Sequence, residues 1–173
     1  MANSYYNFFR TETPDGIDYL FITQNNRVYT VSFDPSLYGE YTESFPTLST
    51  HGYGLIFSYK DGSKKVIGRN NGARNYCDSS VGVTICEIIS DFLKNSEEPV
   101  FVILQCEKYK EEKFFHPWYK NYSEHSKYKG IGIEFDFVDE KQYFGFICKI
   151  DNANIEKAVV ELETFSFEIS KND

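Results

Sequence analysis

The sequence predicts an α+β fold: a mainly antiparallel sheet, built from an N-terminal meander and a C-terminal hairpin, with two principal amphipathic helices packed on one face. Three observations predict it. Apolar residues alternate with period two in several short runs, the signature of strands with one buried face. Two longer stretches repeat their apolar residues at helical spacing. The strand-like and helix-like stretches are partly segregated along the chain, which separates α+β from alternating α/β folds. Composition agrees, because Phe, Tyr and Trp make up 18% of the chain and aromatic side chains suit pleated, half-buried surfaces.

The first strands are expected over Tyr5–Arg10, Ile17–Thr23 and Arg27–Phe33. Pro14-Asp15-Gly16 is a turn with a mechanism, since Pro fixes φ and Gly accepts positive φ. Asn25-Asn26 is the second turn. In the third run Tyr29, Val31 and Phe33 alternate with Val28, Thr30 and Ser32. Residues 34–50 hold Asp34-Pro35, Gly39 and Pro46 and read as a loop or a short irregular excursion. A strand over Gly52–Lys60 follows. Asp61-Gly62 is a hairpin signal, and Lys64–Gly68 is the returning strand. Residues 68–77 read as a loop rich in Asn and Gly.

The clearest helix starts near Asp78-Ser79-Ser80, whose side chains offer N-cap oxygens. Val81, Ile85, Ile88, Ile89 and Phe92 form its apolar face, and it ends near Lys94-Asn95, before Pro99. Val100–Cys106 is continuously apolar over strand length, the pattern of a central strand covered on both sides. Residues 107–129 are polar and aromatic, with a helix that either ends before Pro117 or begins with it. Ile131–Phe137 and Tyr143–Ile150 form a hairpin. A second helix is expected from about Asn154 to Phe165, with Ile155, Ala158, Val159, Leu162 and Phe165 on one face. Phe167–Ser170 is expected as a terminal strand or a frayed end.

The totals bound the function classes. At 173 residues the chain fits one domain, 1–173, by the prior of roughly 100–200 residues per domain. Residues 1–76 carry 7 Lys/Arg and 7 Asp/Glu. Residues 77–173 carry the remaining 11 and 19, so the net charge of −8 sits in the second part. An acidic chain repels phosphate backbones, which disfavours nucleic acid as a partner without excluding a local basic site. No run approaches the ~18 apolar residues of a membrane span, and the first residues lack a secretory pattern. A cytoplasmic protein without membrane contact is expected. Cys77, Cys86, Cys106 and Cys148 show no zinc spacing; buried reduced thiols explain the patterns around Cys86, Cys106 and Cys148, and the even count leaves disulfides open.

In its second half the chain resembles a known family. Asp78-Ser79-Ser80-Val81-Gly82-Val83-Thr84-Ile85, Val102-Ile103-Leu104-Gln105-Cys106, Phe115, Trp118-Tyr119 and Asp151-Asn152 are similar to the pattern of domain of unknown function 6169, a family of small bacterial domains frequent in Bacteroidetes. The similarity covers about the last hundred residues. In that pattern basic residues precede the aromatic pair, whereas here Lys108-Tyr109-Lys110-Glu111-Glu112-Lys113 is mixed in sign. The resemblance implies a bacterial, intracellular single domain and no particular activity.

Few side-chain clusters suggest chemistry. Lys60, Lys64, Lys65, Arg69 and Arg74 lie within 15 residues against one acid, Asp61. With the Gly and Asn backbone of residues 68–72 they offer a cradle for phosphate or another anion. Solvated charges on a hairpin and its loop explain the same pattern. Trp118 and Tyr119 are candidate partner-binding anchors, because such side chains are enriched at interface hot spots. The competing reading places them in the core. His51, His116 and His125 make no ligand motif, and no metal or other cofactor is expected. Cys77 beside a helix start is a weak candidate for a lowered thiol pKa. Glu134, Asp136, Asp139 and Glu140 read as the solvated side of a hairpin. The expected function is a non-catalytic protein-interaction or regulatory domain with a protein partner. The alternative is a binding module for nucleic acid or a phosphorylated ligand through residues 60–76. A hydrolytic enzyme is a weaker third, and an enzyme is disfavoured by the lack of any catalytic motif.

Overall fold

A computed structural model describes residues 4–35, 45–61, 64–67, 79–137 and 139–171, with side chains left aside at 61, 64–67, 137 and 169–171. The strands are β1 (Phe8–Thr13), β2 (Gly16–Ile22), β3 (Val28–Asp34), β4 (Gly52–Asp61), β5 (Lys64–Ile67), β6 (Phe101–Glu107), β7 (Tyr128–Phe137) and β8 (Glu140–Lys149). They form one sheet in the order β1-β2-β3-β4-β6-β8-β7, with β5 also on β4. Every pairing is antiparallel except β4 with β6. One edge of β4 is shared: Gly52–Gly54 pair with β6 and Ser58–Asp61 with β5. The parallel step follows a connection containing a full helix, long enough for a crossover. The expected α+β class and mainly antiparallel sheet are present.

Local chemistry explains the turns. Gly16 has φ +147, and a Cβ there would lie 2.1 Å from the Phe33 carbonyl oxygen, so only glycine joins β1 to β2. Asn26 takes φ 57 in the next turn and donates its N–H to the Thr23 carbonyl. Asn tolerates this left-handed region better than most residues.

The register gives the sheet two distinct faces. Tyr19, Phe21, Tyr29, Val31, Phe33, Leu55, Tyr59, Val102 and Leu104 point to one face and are buried with Val81, Ile85, Ile88, Ile89, Phe92 and Leu93 of α2 (Ser79–Asn95). Phe101, Ile103, Phe144, Phe146 and Cys148 point to the other. They are buried with Ala158 and Leu162 of α5 (Ile155–Lys171) and with Phe45 and Leu48 at α1 (Pro46–His51). The two long helices therefore lie on opposite faces, which corrects the expectation of one shared face. The physical reason is β6. Its residues Phe101–Leu104 are all buried, and a strand apolar on both sides needs a cover on each. The continuous run was the correct signal.

Two further readings are corrected. Residues 46–51 are helical rather than loop. The Glu161 carboxylate on α5 accepts the backbone N–H groups of Thr47 at 2.7 Å and Leu48 at 3.1 Å. A six-residue helix is marginal alone, and its cap comes from more than a hundred residues away. The chain end is not a strand, because α5 continues through Phe167 to Lys171. Between β6 and β7 the chain makes α3 (Lys108–Lys110), a π-helical turn (Glu111–Phe115), α4 (His116–Asn121) and a 3-10 turn (His125–Lys127). Pro117 sits in the first turn of α4, where its missing N–H costs least.

Candidate functional site

The segment 108–122 forms a strap across the α2 side of the sheet, and Gly82 makes room for it. At Gly82 on α2 a Cβ would meet the Trp118 indole at 2.3 Å, so the ring lies directly on the helix backbone. The Tyr119 ring lies over Gly130 on β7, where a Cβ would meet it in ordinary contact at 3.5 Å, and the Tyr119 hydroxyl donates to the Tyr128 carbonyl at 2.9 Å. Phe115 packs edge-on against Phe57 and Trp118. Trp118 and Tyr119 are half-buried and pack against the core under α2. These two candidate anchors spend much of their surface inside the molecule.

A charged clasp fixes the start of the strap. Lys108 Nζ donates to Glu134 at 2.7 Å and to Glu111 at 2.9 Å, and lies 5.6 Å from the centre of the Tyr143 ring. Desolvation pulls the Lys108 pKa down, but the hydrogen bonds to Glu134 and Glu111 outweigh it and hold the ammonium above its usual range. The Lys108 hydrogen bond in turn holds the Glu134 carboxyl below its usual range. Glu111 is buried, 7% exposed. Its other oxygen lies 3.5 Å from His116 Nδ1. The π-helical turn brings these two together. The His116 N–H bonds to the Glu111 carbonyl, an i to i+5 link, which stacks residues five apart. Glu111 sits in a run of mixed charges, and only the fold buries it. Tyr143 covers Gly132 and Gly145, where a Cβ would meet its ring or hydroxyl at 2.3 and 2.6 Å. Burial, then Glu111, pushes the Tyr143 phenol up to about 12.

The three described thiols are poor nucleophiles. Burial pushes Cys86, Cys106 and Cys148 up to about 12, with Glu87, Glu111 and Asp151 as the next contributors. All three are free, as expected of core thiols. Cys77 lies outside the described residues. His125 Nδ1 lies 2.9 Å from the Tyr122 carbonyl, and His51 ends α1. Among the described residues no three His, Cys, Asp or Glu side chains gather as metal ligands, and no helix is long and apolar enough to cross a membrane.

Of the expected anion site, Lys60 is exposed near the end of β4. Lys64 and Lys65 lie on β5, paired with Asp61 and Lys60. Arg69 and Arg74 lie outside the described residues. At the hairpin, Asp136 stands opposite Lys141, and Asp139 takes φ 64 in the turn.

A different surface was missed. On the sheet face away from α2, the meander presents Phe9 beside Leu20 and Ile22 beside Val28. Phe9 is 74% exposed and Ile22 57%. The signal was available: Phe8 and Phe9 are adjacent on a strand, so one must point away from the core. No family model, curated protein or solved structure matches this chain.

Proposed function

We propose that the chain is a non-catalytic protein-interaction domain and that the outer face of its meander receives the partner. One observation carries the reading. Phe9 and Ile22 stand exposed on a sheet face that α5 and α1 cover only farther along, over β6, β8 and β7. Exposed aromatic and branched side chains grouped on one flat face suit a protein contact. Their neighbours Thr11, Asp18, Thr30, Ser32 and Ser58 supply a polar surround. The resemblance to domain of unknown function 6169 adds no activity to this reading, and a cytoplasmic setting is part of the proposal.

The test compares the wild type with Phe9→Asp and Ile22→Asp as baits in a host lysate treated with nuclease. Both variants change exposed positions and should keep the wild-type melting temperature. Proteins held by the wild type and lost by both variants support the reading. The same proteins on all three baits would sink it. The alternative, a nucleic acid or phosphorylated ligand bound through residues 60–76, would instead give material whose retention falls steeply with salt.

A further inference from the structure

The two edges of the sheet differ. β1 is a short edge of six residues, and Arg10 and Glu12 pair along it at 3.3 Å. Short, charged edges resist further pairing. β7, at the other end of the sheet, runs for ten residues in unbroken register with β8. Phe137 and Glu140 close this hairpin over a two-residue loop, so Phe137, Phe135, Ile133 and Ile131 turn their N–H and C=O groups to β8. Tyr128, Gly130, Gly132, Glu134 and Asp136 turn theirs outward. The strap agrees with this assignment. The Tyr119 hydroxyl donates to the Tyr128 carbonyl at 2.9 Å and also engages the Gly130 backbone.

Tyr119 therefore occupies the first part of the edge and stops at Gly130. Among the described residues no hydrogen bond reaches the outward backbone groups of Gly132, Glu134 and Asp136. A row of N–H and C=O groups at strand spacing is a template for one more strand. The side chains select what that strand carries. On the α5 face Ile131, Ile133 and Phe135 pack on the core but are only partly buried, so an added strand gains by setting apolar residues beside them. On the opposite face Glu134 and Asp136 are exposed, and Asp139 and Glu140 follow at the turn. Lys108 and Lys141 offset only part of this charge. Opposite charges directly across a strand pair stabilise it, and like charges oppose it. The strand that fits carries Lys or Arg on that face. A second copy of β7 would bring the same acids and is disfavoured.

We propose that the β7 edge from Gly132 to Asp136 receives an extended segment of a partner protein in which apolar residues alternate with basic ones. The edge lies at the far end of the sheet from the outer face of the meander, so it stands independently of that surface. The probe is the capped peptide Val-Lys-Val-Lys-Val-Lys-Val, with Val-Glu-Val-Glu-Val-Glu-Val as its counterpart. Amide hydrogen exchange of the wild type, read by NMR, is the first measurement. The basic peptide should slow exchange at Gly132, Glu134 and Asp136 and leave Ile131 and Ile133, already bonded to β8, unchanged. Asp136→Pro removes one outward N–H without breaking the β8 ladder, at a position where an edge strand tolerates proline. It should weaken the basic peptide about three- to tenfold, the worth of one hydrogen bond. Asp136→Asn keeps the N–H and should weaken it less, with the difference fading at high salt. Basic peptide bound with no slowing of those three amides would mean that it only coats an acidic chain, and the proposal would be overturned. Equal binding of the two peptides, binding unchanged by Asp136→Pro, or no binding at all would overturn it as well. Should Asp136→Pro fail to fold, the exchange pattern of the wild type decides alone.

Discussion

The meander β1–β4 and the three strands β6, β8 and β7 belong to one sheet but are covered differently. In the meander, Tyr29, Val31 and Phe33 are buried under α2 while Val28, Thr30 and Ser32 are only partly buried on the reverse. Its buried side is nearly all rings: Phe21 stacks on Tyr29 at 4.9 Å and Phe33 on Phe92 at 4.0 Å. In the other region β6 is buried on both sides, while β7 alternates exposed and partly buried residues. Val102 and Leu104 lie under α2 and the strap, and Phe101 and Ile103 under α1 and α5. The number of covers a strand has is written in its apolar pattern. Alternation reads as one cover, and a continuous run reads as two.

The sharpest break in that comparison is a truncation in the doubly covered region. Phe146→Ala removes a ring buried against Phe101 at 4.9 Å. It should cost about 3–5 kcal/mol in urea denaturation. Removing the cap that α5 lends to α1 comes next. Glu161→Ala should cost ~1 kcal/mol, the usual worth of a helix cap. Faster hydrogen exchange at the Thr47 and Leu48 amides, with little change elsewhere, would show that the effect is local.

A pH titration separates the clasp from the packing beneath it. The folded Glu134 pKa is lowered, so its contribution is full above the unfolded carboxyl pKa of ~4.3 and is lost as pH falls through the lower folded value. The folded Lys108 pKa is raised, so its contribution is full below ~10.4 and is lost as pH rises through the folded value. Between those limits the clasp is intact. Glu134→Gln should therefore track the wild type at acid pH and fall slightly below it at neutral pH. A constant offset down to the lowest pH would assign Glu134 a packing role instead. The smallest effect belongs to the meander's outer face. Phe9→Ala should shift stability by no more than ~0.5 kcal/mol, as expected of a side chain with little burial to lose. A loss comparable to Phe146→Ala would mean that this face is covered, and the proposed docking surface would fall with it.

The sequence by itself determined most of the strands, the two long helices and which face of each is buried. Alternation set which side of β3 is buried, Val81 to Phe92 set the face of α2, and Pro14-Asp15-Gly16 set the first turn. These are short-range consequences of backbone periodicity, legible in neighbouring residues. The tertiary structure decided what lies across from what. It put α5 opposite α2, folded residues 46–51 around a carboxylate on α5, and carried α5 past its expected end. It also buried Glu111 through a π-helical turn and laid Trp118 on Gly82. Each depends on contacts between residues far apart in the chain. A Gly that receives a ring and a Gly that relaxes a loop look the same in sequence, because the difference lies in the partner and not in the glycine.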